Sequence, residues 1–200
     1  MRLLLATHND HKRREFERIL ARHGTFELDV LPASFELPPE DGETFAENAL
    51  GKARAAAAGS GRVSIADDSG IAAAALGGAP GVRSARYAGE HATDRENLEK
   101  LLREVPAESA LEYICVIAYV DPADGTEQTF EGRCGGRLAS QPRGESGFGY
   151  DPAFLPEDTP AGESPTRTMA ELSDEQKDAI SHRGRAAEAL VRWLGERAAD

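Results

Sequence analysis

The sequence predicts an α/β protein, a mixed β-sheet with helices interspersed among its strands. Three observations carry this. Short apolar runs alternate along the chain with helix-period segments that open on capping residues. The run ALEYICVIAYV, residues 110–120, is rich in β-branched and aromatic residues, the composition of a buried strand. DPADG then turns the chain back into TEQTFEGRCGGRL, so at least one strand pair is antiparallel. No repeat or low-complexity linker divides the 200 residues, a length that suits one domain, or two small lobes sharing a core.

In chain order, Arg2 to Ala6 reads as a short buried strand that ends in the polar turn THNDHK. A helix follows from about Lys12 to His23, with Phe16, Ile19 and Leu20 on one face and Gly24 closing it. Pro32, Pro38, Pro39 and Gly42 mark a loop. The capping box Thr44–Glu47 opens the next helix, which continues through an alanine run to Gly59. VSIADDSGI, residues 63–71, then reads as a strand that delivers two adjacent carboxylates, Asp67 and Asp68, at its end. IAAAALGGAPG is expected to be extended, because it is short and bounded by glycines in spite of its alanines. A second capping box, Thr93–Glu96, starts a helix with Leu98, Leu101, Leu102 and Val105 in register, and Pro106 stops it. After the hairpin comes a glycine-rich loop, GESGFGYDP, and then helical sequence from about Ser173 to Arg197.

Composition narrows the function classes. Hydrophobic content of 40% and charged content of 29% are ordinary for a globular protein. With 23 basic and 35 acidic residues the net charge is −12, which argues against a nucleic-acid partner. A small phosphorylated ligand remains compatible, since it needs only a local cluster of donors and a divalent cation to neutralise it. No apolar run approaches a membrane span, and MRLLLATHND is too short in apolar residues for a signal peptide. The expected location is the cytoplasm, with Cys115 a buried reduced thiol.

Four stretches could carry chemistry. Side chains alternate along a strand, so Asp67 and Asp68 cannot both address one ligand. One is expected to accept hydrogen bonds from loop amides while the other stands at the strand end, where open α/β sheets build sites; alternatively both are turn residues. THNDHK leads into a helix N-terminus, which suits an anion but lacks the glycines of a P-loop; alternatively Asn9 or Asp10 simply caps the helix. In GESGFGYDP, Phe148 could stack on a flat ring or anchor a turn to the core. EQKDAISHRGRA groups Lys177, His182 and Arg183, with Ser181 suited to cap the last helix; the alternative is an amphipathic surface helix.

In this order and spacing, the blocks LLLATHNDHKRREFERIL, DGETFAENALGKARAAA, IADDSGI, LGGAPGVRSARYAGE, SGFGYDPAF and MAELSDEQKDAISHRGRA resemble the non-canonical purine nucleoside triphosphate pyrophosphatases, the inosine triphosphate pyrophosphatase family. The resemblance covers nearly the whole chain. It implies a single pyrophosphatase domain over residues 1–200, an elongated mixed sheet with flanking helices, and two lobes around a central cleft. It further implies hydrolysis of ITP, dITP and XTP to the monophosphate and pyrophosphate, dependence on Mg²⁺, and a homodimer.

By the same resemblance, Thr7, His8, Asn9, Asp10, His11 and Lys12 form the first triphosphate contact. His8 stands where many relatives carry a small residue. Asp68 corresponds to the catalytic proton acceptor and metal ligand, Glu40 to a second metal ligand, and Ser69 to a neighbouring substrate contact. Phe148, Gly149, Tyr150 and Asp151 correspond to the base-binding segment, and Lys177, His182 and Arg183 to the remaining contacts. Donors from His182 or Arg183 would favour the 6-oxygen of hypoxanthine or xanthine over the 6-amino group of adenine. Two competing readings remain open: a nucleotide pyrophosphatase with another base preference, and a nucleotide-binding protein without hydrolysis.

Overall fold

The computed structural model describes residues 1–24, 26–160 and 166–198. Its strands are β1 (Arg2–Leu5), β2 (Glu27–Val30), β3 (Ser64–Ala73), β4 (Ala110–Asp121), β5 (Thr126–Leu138) and β6 (Phe154–Pro156). The α-helices among the described residues are α1 (Asp10–Ala21), α2 (Phe45–Ser60), α3 (Asp94–Glu104), α4 (Asp174–Ile180) and α5 (His182–Arg197). The strands form one mixed sheet in the order β2-β1-β3-β4-β5-β6. β1 pairs in parallel with both β2 and β3, whereas β5 and β6 are antiparallel. Parallel neighbours cannot be joined by a tight turn, so α1 carries the chain from β1 to β2 and α2 carries it on to β3.

The chain divides into two compact units. The first comprises Met1–Asp68, Cys115–Gly132 and Arg183–Asp200; the second comprises Ser69–Ile114 and Arg133–His182. β3, β4 and β5 each contribute residues to both.

Strand alternation builds two cores in the first unit. Leu3, Leu5, Ile65, Cys115, Ile117 and Tyr119 pack with apolar residues of α1 and α5, including Phe16, Ile19, Ala186 and Leu190. Leu4, Ala6, Ala66, Val116, Ala118 and Val120 pack with Ala49, Ala53, Ala56 and Ala57 of α2. The alanine run is thus a helix face held close to the sheet by small side chains. Each fully buried Leu or Ile in these layers contributes about 1.5–3 kcal/mol. The second unit has its own core, in which Ile71, Tyr113, Leu138 and Phe154 meet Leu101 and Val105 at the end of α3.

Helix starts follow the cap chemistry. Asn9 caps α1, and complete capping boxes at Thr44–Glu47, Thr93–Glu96 and Ser173–Gln176 open α2, α3 and α4. Each leaves fewer orphan N–H groups, at a value of about 1 kcal/mol per cap.

Three boundaries differ from expectation. β3 continues to Ala73, so Asp68 lies within the strand and not at its end. Of IAAAALGGAPG, only the first three residues continue that strand; Ala74–Leu76 then turn in a 3-10 helix closed by Gly77 in the left-handed region. The C-terminal helical stretch is two helices, because Ser181 is extended (φ −72°, ψ 155°) and ends α4. Among the described residues no helix is long and apolar enough to cross a membrane. Cys115 and Cys134 are both buried thiols.

Candidate active site

In the first unit, alternation along β3 sends the two carboxylates to opposite faces. Ile65 and Asp67 face α1 and α5, whereas Ala66 and Asp68 face α2. Asp67 faces the cations of Lys12 and Arg183. Its Oδ2 lies 3.1 Å from Lys12 Nζ and 3.0 Å from Arg183 Nη2. Burial alone would push the Asp67 carboxyl up, but Lys12, Arg183 and Lys52 outweigh it and hold it well below the usual carboxylate range. The Cys115 thiol beside it is pushed up by burial and then by the Asp67 charge, so it stays protonated and inert.

Asp68 has a different setting. Its Oδ2 accepts from Asn48 Nδ2 at 2.8 Å, and Asn48 Oδ1 in turn accepts from the Gly42 amide at 2.8 Å. Burial raises its pKa and the nearby Glu40 charge adds to that, while Lys12, Lys52 and the Asn48 bond oppose. A carboxyl raised in this way is a better proton acceptor than an ordinary aspartate. Glu40 is paired with Lys52 Nζ, which also donates to the Asp67 carbonyl at 2.6 Å. Burial works against the Lys52 charge, but Asp67, Glu40 and Asp68 outweigh it and raise its pKa, so the ammonium is fixed.

The α1 entry is built by Asn9, whose Oδ1 accepts from the His11 and Lys12 amides at 2.9 and 3.1 Å, while its own amide donates to Thr7 Oγ1. His8 turns away from this cap, and its Nε2 donates to the Phe35 carbonyl at 2.8 Å. Asp10 is exposed and bound to Arg13 on the surface of α1. Arg183 is buried, with Nη1 on Glu15 and Nη2 on Asp67. Burial lowers its pKa, yet Asp67 and Glu15 more than compensate.

The second unit holds the remaining predicted residues. Half-buried Ser69 follows Asp68 in β3. Gly70 after it admits no side chain, since a Cβ there would lie 2.4 Å from Ser84 Oγ and 2.5 Å from the Gly81 carbonyl. In the glycine-rich loop, Asp151 is a buried hub. Its Oδ2 accepts from the Phe148 amide at 2.9 Å and from Lys177 Nζ at 2.6 Å, and its Oδ1 accepts from Tyr113 OH at 3.0 Å. Gly147, at φ 74°, makes room for it, because a Cβ there would sit 2.1 Å from Asp151 Oδ2. The Gly149 amide donates to Asp94, and Tyr150 OH donates to the Ser84 carbonyl at 2.7 Å. Phe148 is half-buried with Lys177 Nζ 5.2 Å from its ring centre. His182 stacks on Tyr113, with ring centres 4.5 Å apart and planes 7° apart.

Thus Thr7 to Lys12, Glu40, Asp68 and Arg183 belong to the first unit, and Ser69, Phe148 to Asp151, Lys177 and His182 to the second. Sequence reasoning did not single out Glu15, Asn48, Lys52 or Tyr113. For Asn48 and Lys52 there is a signal in retrospect: two polar residues at i, i+4 on the alanine face of α2.

The comparisons with known proteins bear on what this arrangement is. The sequence model of the Ham1 family matches residues 3–193. The chain belongs to the Ham1 family. A relative named dITP/XTP pyrophosphatase from Corynebacterium glutamicum (strain R) is 46% identical over 209 aligned positions, covering 100% of this chain and 99% of that one. The Ham1 protein of Coxiella burnetii superimposes with a TM-score of 0.82 at 40% identity, covering 98% of this chain and 99% of that one. The crystal structure of a nucleoside-triphosphatase, dITP/XTP pyrophosphatase, from Mycobacterium abscessus gives 0.71 at 42% identity, covering 97% and 100%. Membership of the Ham1 family agrees with the α/β reading and with the resemblance drawn from the motif blocks.

Proposed function

We propose that this chain, acting as one domain over its whole length, is a pyrophosphatase of non-canonical purine nucleoside triphosphates. It hydrolyses dITP, ITP and XTP to the monophosphate and pyrophosphate, and so keeps them out of DNA and RNA. The observation that carries this reading is Asp68, a buried carboxyl of raised pKa with Glu40, Lys12 and Lys52 around it, in a chain whose full-length relatives are named dITP/XTP pyrophosphatases.

Mg²⁺ fits this donor set. Among the described residues no group of three or more His, Cys, Asp or Glu is arranged to hold a metal. A cation of this kind is commonly held by one or two carboxylates together with substrate phosphates, and Asp68 and Glu40 supply two hard oxygen donors. When bound, Mg²⁺ would neutralise part of the triphosphate charge. Asp68 orients the attacking water at the α-phosphorus and accepts its proton, with pyrophosphate as the leaving group. Lys12 and the positive end of α1 meet the phosphates. Phe148 stacks on the base, and His182 donates to the purine 6-oxygen. Because both Nη groups of Arg183 face Glu15 and Asp67, we assign it to holding Asp67 and Lys12 in place, and leave base selection to His182.

A homodimer in the cytoplasm is the accompanying expectation, supported by the family resemblance. The test is a panel of dITP, ITP, XTP, dGTP, dATP and dTTP with Mg²⁺, with pyrophosphate and orthophosphate measured separately. Pyrophosphate from the first three, with little from the others, supports the reading. Pyrophosphate from another base alone would overturn the selectivity, and tight binding without turnover would make the protein a nucleotide sensor.

A further inference from the structure

We infer that Tyr113 is a positioning residue for base recognition, fixing the His182 imidazole plane and the Asp151 carboxylate together. The inference rests on the purine triphosphate reading above. Tyr113 lies on β4 in the second unit and is 6% exposed. One ring face is stacked on His182 with a 7° tilt between planes, and the ring also packs at 4.5 Å against Phe154, which holds the tyrosine itself. Its hydroxyl donates to Asp151 Oδ1 at 3.0 Å.

Each contact removes a rotation that recognition needs fixed. An imidazole stacked on a parallel ring is held in that plane, which restricts its rotation about the Cβ–Cγ bond. Discrimination between a 6-oxygen and a 6-amino group depends on a donor held in direction, since a mobile one can adapt to either. A carboxylate tied at Oδ1 likewise keeps Oδ2 turned to Lys177 and to the Phe148 amide, which sets the backbone carrying the stacking ring. A phenol does this without adding charge, so the Lys177–Asp151 balance is left intact. One side chain therefore couples the Phe148 loop to the start of α5.

The experiment compares wild type, Tyr113→Phe and Tyr113→Leu for pyrophosphate release from dITP and dATP. Tyr113→Phe keeps the stack and loses the Asp151 bond. It should raise KM for dITP several-fold at nearly unchanged kcat, with the dITP:dATP ratio of kcat/KM preserved. Tyr113→Leu should lower that ratio by about tenfold, equivalent to about 1.4 kcal/mol of discrimination. Equal losses on both substrates in Tyr113→Leu would reduce Tyr113 to a packing residue and overturn the inference. If Tyr113→Leu fails to fold, Tyr113→Phe decides alone, and an unchanged KM overturns it. Wild type that releases no pyrophosphate from dITP would overturn the functional reading as well, whereas selective wild type with an unchanged ratio in Tyr113→Leu overturns this inference only.

Discussion

Asp67 and Asp68 are adjacent in sequence yet serve opposite faces of β3. Asp67 lies 3.0 Å from Arg183 Nη2 on the α1–α5 side, and Asp68 accepts from Asn48 of α2 at 2.8 Å on the other. The two-residue period of the strand enforces this division. One carboxylate is engaged in a buried ionic network of Lys12, Arg183 and Glu15, and the other is the one to which we assign the chemistry.

Removing the Asp67 charge should therefore cost stability. Asp67→Asn leaves Lys12 and Arg183 short of a buried counter-charge, a loss of about 3–5 kcal/mol. The effect depends on pH with a definite sign. The folded pKa is depressed below the ordinary value of 3.8, so the stabilisation is complete above about pH 4 and is lost as pH falls towards the folded value. Urea unfolding of both proteins in a chelator should give a constant gap from pH 5 to 8 that narrows below pH 4. A gap that widens on acidification would contradict the network.

Asp68→Asn should behave in the contrary manner. Its raised pKa marks an ionised carboxylate that folding does not favour, so the variant is expected to melt at or above the wild-type temperature. Turnover should fall by about a thousandfold or more, as when a general base is lost together with a metal ligand. Retained turnover would move the chemistry to Glu40 or Asp67.

Much of the fold was legible because its causes are local. A capping side chain bonds to amides two or three residues away, so Thr44, Thr93 and Asn9 announce their helices. The alternation that sorts Asp67 from Asp68 is likewise written into adjacent positions. The partners of these carboxylates were not legible. Arg183 meets Glu15 across 168 positions and Asp67 across 116, and no local pattern encodes such pairings. Tyr113 reads as one more aromatic in a buried strand, and Asn48 and Lys52 vanish into an alanine helix. The end of β3 is hidden in the sequence because Ser69 and Gly70 look like turn residues. Gly70 is there for close approach to Ser84 and Gly81 within a strand that continues.

That approach makes Gly70 sensitive. Gly70→Ala forces a Cβ against the Gly81 carbonyl and Ser84 Oγ, which also receives the Ile71 amide at 2.8 Å. A loss of about 1–3 kcal/mol is expected from overpacking alone. Thermal melts should show it, and an unchanged midpoint would mean that the 3-10 turn at Gly81–Arg86 yields freely.

Phe148→Ala separates base stacking from core packing. The ring is half-buried and lies outside the second unit's core cluster, so the variant should fold normally and raise KM for dITP several-fold. A large drop in melting temperature would instead make Phe148 a structural anchor.

Glu40→Gln addresses the cation. Lys52 keeps its bond to the Asp67 carbonyl, so the fold should persist. The Mg²⁺ concentration for half-maximal turnover should rise several-fold, while maximal turnover at saturating Mg²⁺ is largely restored. Loss of activity that Mg²⁺ cannot restore would give Glu40 another task.

The most direct measurement of the central claim is hydrolysis of dITP in ¹⁸O-water, with the label located by mass spectrometry. Water oriented by Asp68 onto the α-phosphorus places one ¹⁸O in dIMP and none in pyrophosphate. Label in pyrophosphate would mean attack at the β-phosphorus, and the assignment of Asp68 as the acceptor of the attacking water's proton at the α-phosphorus would be wrong.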